Sequence, residues 1–245
     1  VSNTGVVATD VTGVGTARCY LTACEYGDDK GIFGYGQPNG KVSLTNLVSN
    51  TGVVATDTTG VGTARSNLAA CAYGEDKGIF GYGDTGSNVS MTNLVSNAGV
   101  VATDTTGVGT ARKQLAACEY GEDKGIFGYG VSAVSMTNLV SNAGVVATDT
   151  TGVGTGRAYL AACGYGYDKG IFGYGYTPST VSMTNLVSNA GVVATDVTGV
   201  GTARSHLSAC EYGEDKGIFG YGYGYGGNLS MTNLVSNAGV VATDV

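Results

Sequence analysis

The sequence predicts an all-β fold, a five-bladed β-propeller with four antiparallel strands per blade, and three observations carry that expectation. The Arg of "GTAR" or "GTGR" falls at positions 18, 65, 112, 157 and 204, so near-copies of one segment recur at spacings of 47, 47, 45 and 47 residues. That period is the size of a supersecondary unit of about four short strands. Gly, Thr, Val and Asn crowd every window and no stretch sustains a 3.6-residue periodicity, which argues against helix. The 245-residue chain also holds 43 Gly, 16 Tyr, 2 Pro and no Trp, with 42% apolar residues. That composition suits a folded, turn-rich chain rather than a collagen-like or disordered one.

Four β segments follow one another in the repeat that begins at Thr59. "SNLAACAYG" supplies small residues for an innermost strand, since strands that converge on a narrow axis have room for little else. "KGIFGYG" follows the turn "GEDKG" as a second strand, "VSMTNLVSN" reads as a third, and "GVVATD" as an outer fourth. The blades are expected at about 17–57, 64–104, 111–149, 156–196 and 203–245. An open solenoid is the rival architecture, but it normally has a shorter repeat, and a closed ring protects its sheet edges. The outer strand occurs six times, at 5–10, 52–57, 99–104, 144–149, 191–196 and 239–244, although five blades need only five. Residues 1–11 are expected to fill the last blade as a ring-closing clasp, leaving 239–245 loose; the reverse assignment is the alternative. The chain opens in mid-repeat, as a piece of something longer would.

The repeat "GTARSNLAACAYGEDKGIFGYG" resembles that of Kelch and galactose-oxidase propellers, with Arg65 opening the inner strand and Ala69–Ala70 following it. Gly81-Tyr82-Gly83 stands where that family has adjacent glycines, and the Trp that often ends a Kelch repeat is missing from all five copies. The repeat is also similar, more weakly, to that of the chromosome-condensation-regulator propellers. A looser likeness is to repeats of phage and metagenomic proteins.

Variation between copies concentrates in two places. One is the pair after the Arg: Cys19-Tyr20, Ser66-Asn67, Lys113-Gln114, Ala158-Tyr159 and Ser205-His206. The other follows "GYG" and reads "QPNGK" at 37–41, "DTGSN" at 84–88, "VSA" at 131–133, "YTPST" at 176–180 and "YGYGGN" at 223–228. Successive turns of an antiparallel blade alternate between its two ends, so both zones are expected on one face. The candidate ligand-binding residues are Tyr20, Asn67, Gln114, Tyr159 and His206, with Asn39, Asp84, Asn88, Tyr176, Tyr223 and Tyr225 from the second zone. Such residue types make adaptable contacts in paratopes. Drift at loop tips after duplication is the competing account.

The residues offer little chemistry. One histidine cannot build a His-rich metal site, so the copper chemistry of galactose oxidases does not carry over, and no cofactor or metal is expected. The "EDK" carboxylates, which read "DDK" at 28–30 and "YDK" at 167–169, are expected to be solvated turns, and five near-identical copies do not provide the different roles that an active site requires. Five of the six cysteines, at 24, 71, 118, 163 and 210, are symmetry copies expected to be reduced, buried and structural. Cys19 stands alone in the variable zone. That usage suits folding in a cytoplasm, with a virion or cell-surface destination after assembly. Each repeated Arg is expected to bond loop carbonyls or an Asp of the preceding "ATD". The net charge of −7 and a pI near 4.5 argue against a nucleic-acid or anionic-membrane partner. The expected function is non-enzymatic: binding or adhesion through the variable face to a glycan or protein receptor, within a phage-like particle. The alternative is a structural module held among other subunits of an assembly.

Overall fold

In each repeat a run of small residues leads into a strand, reverses at a turn, and returns as "KGIFG". The second repeat shows the logic: Gly74 and Glu75 take left-handed φ values of +60° and +67°, which fold Ala69–Tyr73 back onto Lys77–Gly81 in the register Ala69↔Gly81 to Tyr73↔Lys77. Thr92–Val95 then pairs on the far side, from Gly78↔Val95 to Gly81↔Thr92.

The structure, a computed structural model, describes residue 9 and residues 12–245. Its strands are β1 (Thr22–Tyr26), β2 (Lys30–Gly34), β3 (Thr45–Val48), β4 (Ala69–Tyr73), β5 (Lys77–Gly81), β6 (Thr92–Val95), β7 (Ala116–Tyr120), β8 (Lys124–Gly128) and β9 (Thr137–Val140). They continue as β10 (Ala161–Tyr165), β11 (Lys169–Gly173), β12 (Thr184–Val187), β13 (Ser208–Tyr212), β14 (Lys216–Gly220), β15 (Tyr223–Gly224), β16 (Gly227–Asn228) and β17 (Thr232–Val235). The fold is all-β, with no helix among the described residues, and so none that could cross a membrane. Each repeat builds one three-stranded antiparallel sheet, the fifth being β13-β14-β17, and β15-β16 form a separate small hairpin.

The expected fourth strand is not a strand. "GVVATD" and the residue after it meet the third strand at two isolated bridges, Val95↔Val101 and Thr92↔Thr105 in the second repeat. Four residue steps on the outer segment therefore face three on β6, a bulge that breaks the ladder. The cause is chemical, because the end of the segment is drawn into a side-chain clasp. Asn93 Nδ2 donates to Ala102 O at 3.0 Å and to Asp104 Oδ1 at 2.9 Å, while the Thr63 hydroxyl donates to Asp104 Oδ2 at 2.6 Å. All five repeats make this clasp, including the fifth, where Asn233 and Thr202 bond Asp244. Gly239–Asp244 is therefore held in its own repeat, by Val235↔Val241 and by this clasp, which overturns the expectation that it lies loose. The proposed clasp of residues 1–11 lies outside the described residues.

The core lies between repeats rather than within them. Ala69, Cys71, Tyr73, Ile79 and Tyr82 of the second repeat form one cluster with Leu115 and Phe127 of the third. First strands stand side by side in the order β1, β4, β7, β10, β13. At the second-to-third junction, Tyr82 meets Phe127 with ring centroids 5.2 Å apart. A Cβ on Gly81 would come within 2.6 Å of Phe127 Cζ, so this position requires glycine. Backbone bonds tie the same junction: Gly74 N–H donates to Asp123 O at 2.7 Å and Gly83 N–H to Arg112 O at 3.0 Å. The first and fifth sheets make no such junction with each other among the described residues, so the sheets do not close.

Candidate functional site

The starts of the five first strands surround a cavity of about 550 Å³, lined by Leu68, Ala69 and Ala70 and their copies. The strand containing Cys71 is thus the innermost, as the small residues require. Just before each Leu stands the second residue of the post-Arg pair. Tyr20, Asn67, Gln114, Tyr159 and His206 all take left-handed φ values, between 55° and 58°. Each hands its neighbour a backbone bond: Asn67 N–H donates to Tyr20 O, Gln114 to Asn67, Tyr159 to Gln114 and His206 to Tyr159, at 2.9–3.0 Å. Four kinds of side chain, Tyr occurring twice, are thereby held on one repeating backbone around the mouth of the cavity.

Their side chains also touch. Gln114 Nε2 donates to the Tyr159 hydroxyl, and Tyr159 stacks on His206 with ring centroids 3.9 Å apart. Burial holds the His206 imidazole below its ordinary pKa, and its Nδ1 lies 3.0 Å from the Ser205 hydroxyl. Tyr20 is half exposed.

The second variable zone sits beside the first, because the two are bridged: Cys19↔Gln37, Ser66↔Asp84, Ala158↔Tyr176 and Ser205↔Tyr223. Asn39, Asn88, Tyr176 and Tyr223 are exposed there, and Tyr225 stands fully exposed at the tip of the β15-β16 hairpin. Asp84 differs from the rest. It pairs with Lys41 and Lys113, each at 3.1 Å, and accepts from Gly86 N–H. Against a desolvation cost, that backbone bond and the two lysines hold its carboxyl down at about 2. Asp84 therefore braces three loops instead of presenting a free carboxylate.

On the opposite side, the a–b and c–d turns meet, with Asn97 Nδ2 donating to Asp76 Oδ2 at 2.9 Å. Here the structure reveals a group that sequence reasoning missed. The residue after each repeated Cys reads Glu25, Ala72, Glu119, Gly164 and Glu211, and these positions line the other mouth of the channel, a space of about 150 Å³. The alternation of large and small is steric, since Glu211 occupies the place that a side chain at Gly164 would need. Burial, and then repulsion from Glu211 and Glu25, pushes the Glu119 carboxyl up to about 8; burial followed by Glu25 pushes Glu211 up to about 7. Variation at the position after each repeated Cys was the signal for this third variable zone. Among the described residues, no group of three or more His, Cys, Asp or Glu is arranged to hold a metal ion.

The repeated Arg is a framework residue, with a different Asp partner from the one expected. Arg65 is fully buried; its Nε donates to Tyr82 O at 2.9 Å, Nη1 to Thr63 O at 3.3 Å and Nη2 to Asn93 Oδ1 at 2.6 Å. Its carboxylate partner, at 3.7 Å, is Asp104 at the end of its own repeat, not Asp57 of the preceding "ATD". Cys71, Cys118 and Cys163 are buried as expected, whereas Cys24 is half-buried and Cys210 is exposed on the unjoined fifth sheet. Cys19, also exposed, lies 3.3 Å from Gln37 O.

No family model matches the chain, and no curated protein matches it.

Proposed function

We propose that the chain is a Kelch-like array of five propeller blades around a common channel, each with three strands and a bridge-held fourth segment and with the first and fifth blades unjoined, and that it works as a non-enzymatic binding module for a glycan or protein receptor. The observation that carries the binding reading is the rim. Tyr20, Asn67, Gln114, Tyr159 and His206 offer phenol, carboxamide and imidazole groups while sharing one backbone conformation and one chain of hydrogen bonds. A constant scaffold with exchanged side chains at the mouth of a cavity suits recognition. Aromatic faces beside carboxamides match sugar rings, whose C–H faces stack and whose hydroxyls bond. A place on a phage-like particle or a cell surface fits this reading.

The test is a glycan array probed with the whole chain, repeated with the triple variant Tyr20→Gly, Tyr159→Gly, His206→Gly. Selective binding that the variant loses at unchanged melting temperature is the expected result. Binding that survives in the variant, or no binding to any glycan or receptor preparation, would defeat the recognition reading. The rival function, a module that spaces or decorates an assembly, draws on the unjoined first and fifth sheets; mass spectrometry of the intact assembly would identify neighbours on those sheets.

A further inference from the structure

The first and fifth sheets carry the two halves of a contact that the fold makes four times elsewhere. Tyr35, Tyr82, Tyr129 and Tyr174 are fully buried, each under the Phe of the next repeat; their fifth copy, Tyr221, is 51% exposed. Phe80, Phe127, Phe172 and Phe219 are likewise fully buried, whereas Phe33 is 37% exposed. A Cβ on Gly34, Gly81, Gly128 or Gly173 would strike the next Phe ring at 2.6–2.7 Å; on Gly220 it would meet only Thr232, at 3.5 Å, among the described residues. An apolar pocket of about 230 Å³ opens at that spot, lined by Cys210, Ile218, Gly220 and Tyr221. Gly213 and Gly222 do not make, among the described residues, the cross-junction bonds that Gly74 and Gly83 make.

We propose that these two edges are the complementary halves of a head-to-tail interface between copies of this chain, with Phe33 of one copy seated on Gly220 and Tyr221 of the next. The occupant is argued from continuity with an existing interface. The same knob and socket join the second repeat to the third, so a second copy presents a surface already solved by the sequence. Closure within one chain is disfavoured because the four formed junctions are densely packed and fix the rotation between successive sheets, so bringing Phe33 onto Gly220 would disturb all of them. The contact is heterologous, since the two surfaces differ, and every copy keeps one free knob and one free socket.

Light scattering after size exclusion, and native mass spectrometry across a range of concentrations, read the prediction with the whole chain. The wild type is expected to associate with rising concentration. Gly220→Val fills the socket at a position with room for a side chain, and Phe33→Ala removes the knob; each alone is expected to weaken association at least tenfold at an unchanged melting temperature. An equimolar mixture of the two variants should form a one-to-one dimer and nothing larger, because only one competent pair of edges remains. A wild type that stays monomeric at every concentration, as it would if the edges close within one chain or residues 1–11 cover them, overturns the proposal. So does association that both variants leave intact.

Discussion

The guanidinium carbon of Arg112 lies 4.4 Å above the ring of Tyr82, a residue of the preceding repeat, and Arg112 is buried. The same side chain bonds Tyr129 O, Thr110 O and Asn138 Oδ1 of its own repeat. One residue thus holds a repeat to its neighbour and fastens its own strands together.

Replacing Arg112 by Lys keeps the charge and loses the planar fork, leaving carbonyl and carboxamide acceptors without donors in a buried place. The expected loss is about 3 kcal/mol, since hydrogen bonds to charged groups contribute about 1.5–3 kcal/mol each. Denaturant titration would check it, and replacing all five repeated Arg residues should lower the melting temperature further; unchanged unfolding would show that an ammonium serves equally well.

The junction glycines should differ in their tolerance of a methyl group. Gly81→Ala drives a Cβ into Phe127 and is expected to cost about 1–3 kcal/mol, the usual range for overpacking. Gly220→Ala, at the equivalent place on the fifth sheet, should be neutral within about 0.5 kcal/mol. Equal effects in paired thermal melts would contradict the seam described for the first and fifth sheets.

Stability should fall as pH rises through neutrality. Glu119 and Glu211 titrate near 8 and 7 in the folded chain against an ordinary 4.5, so the folded state binds more protons than the unfolded one between those values. Their contribution is fully present below 4.5 and lost as pH rises toward 8. The clasp carboxylates act in the opposite sense: Thr and Asn hydrogen bonds hold Asp57, Asp104, Asp149, Asp196 and Asp244 below 3.8 despite partial desolvation, and that stability is lost only as pH falls below 3.8. Melting temperatures should therefore be higher at pH 5 than at pH 9, and Glu119→Gln should flatten the difference. A variant with the wild-type slope would remove the glutamates as its cause.

The rim stores strain. An L-residue in the left-handed region costs about 1–2 kcal/mol, and the rim has five. Tyr20→Gly should leave the melting temperature unchanged or raise it slightly, because relief of that strain offsets the added chain entropy. A clear loss of stability would show that the Tyr20 side chain is needed for packing.

Much of this was legible in the sequence. The period, the three strands, the innermost placement of the Cys71 strand and the pairing of the two variable zones follow from small residues, Gly punctuation and antiparallel alternation. The fourth strand was misread because "GVVATD" has the β-branched composition of a strand, while its fate is decided by Asn93 and Arg65, which lie 11 and 39 positions before Asp104 in the chain. Glu25, Glu119 and Glu211 escaped notice because only the fold shows that equivalent positions of separate repeats face one another across a channel. The seam was equally hidden, since the sequence writes Phe33 and Phe80 alike and only packing separates them.

The clasp has a consequence for how such a chain can change over generations. Thr63 and Asp104 are 41 residues apart and close inside one repeat, so each module carries its own fastening and meets its neighbours through surfaces that repeat down the array. Recombination between any two of these near-identical segments then adds, drops or reorders whole cassettes while every internal join stays one that already works. The order of rim side chains becomes an editable string, rewritten by shuffling rather than by point mutation.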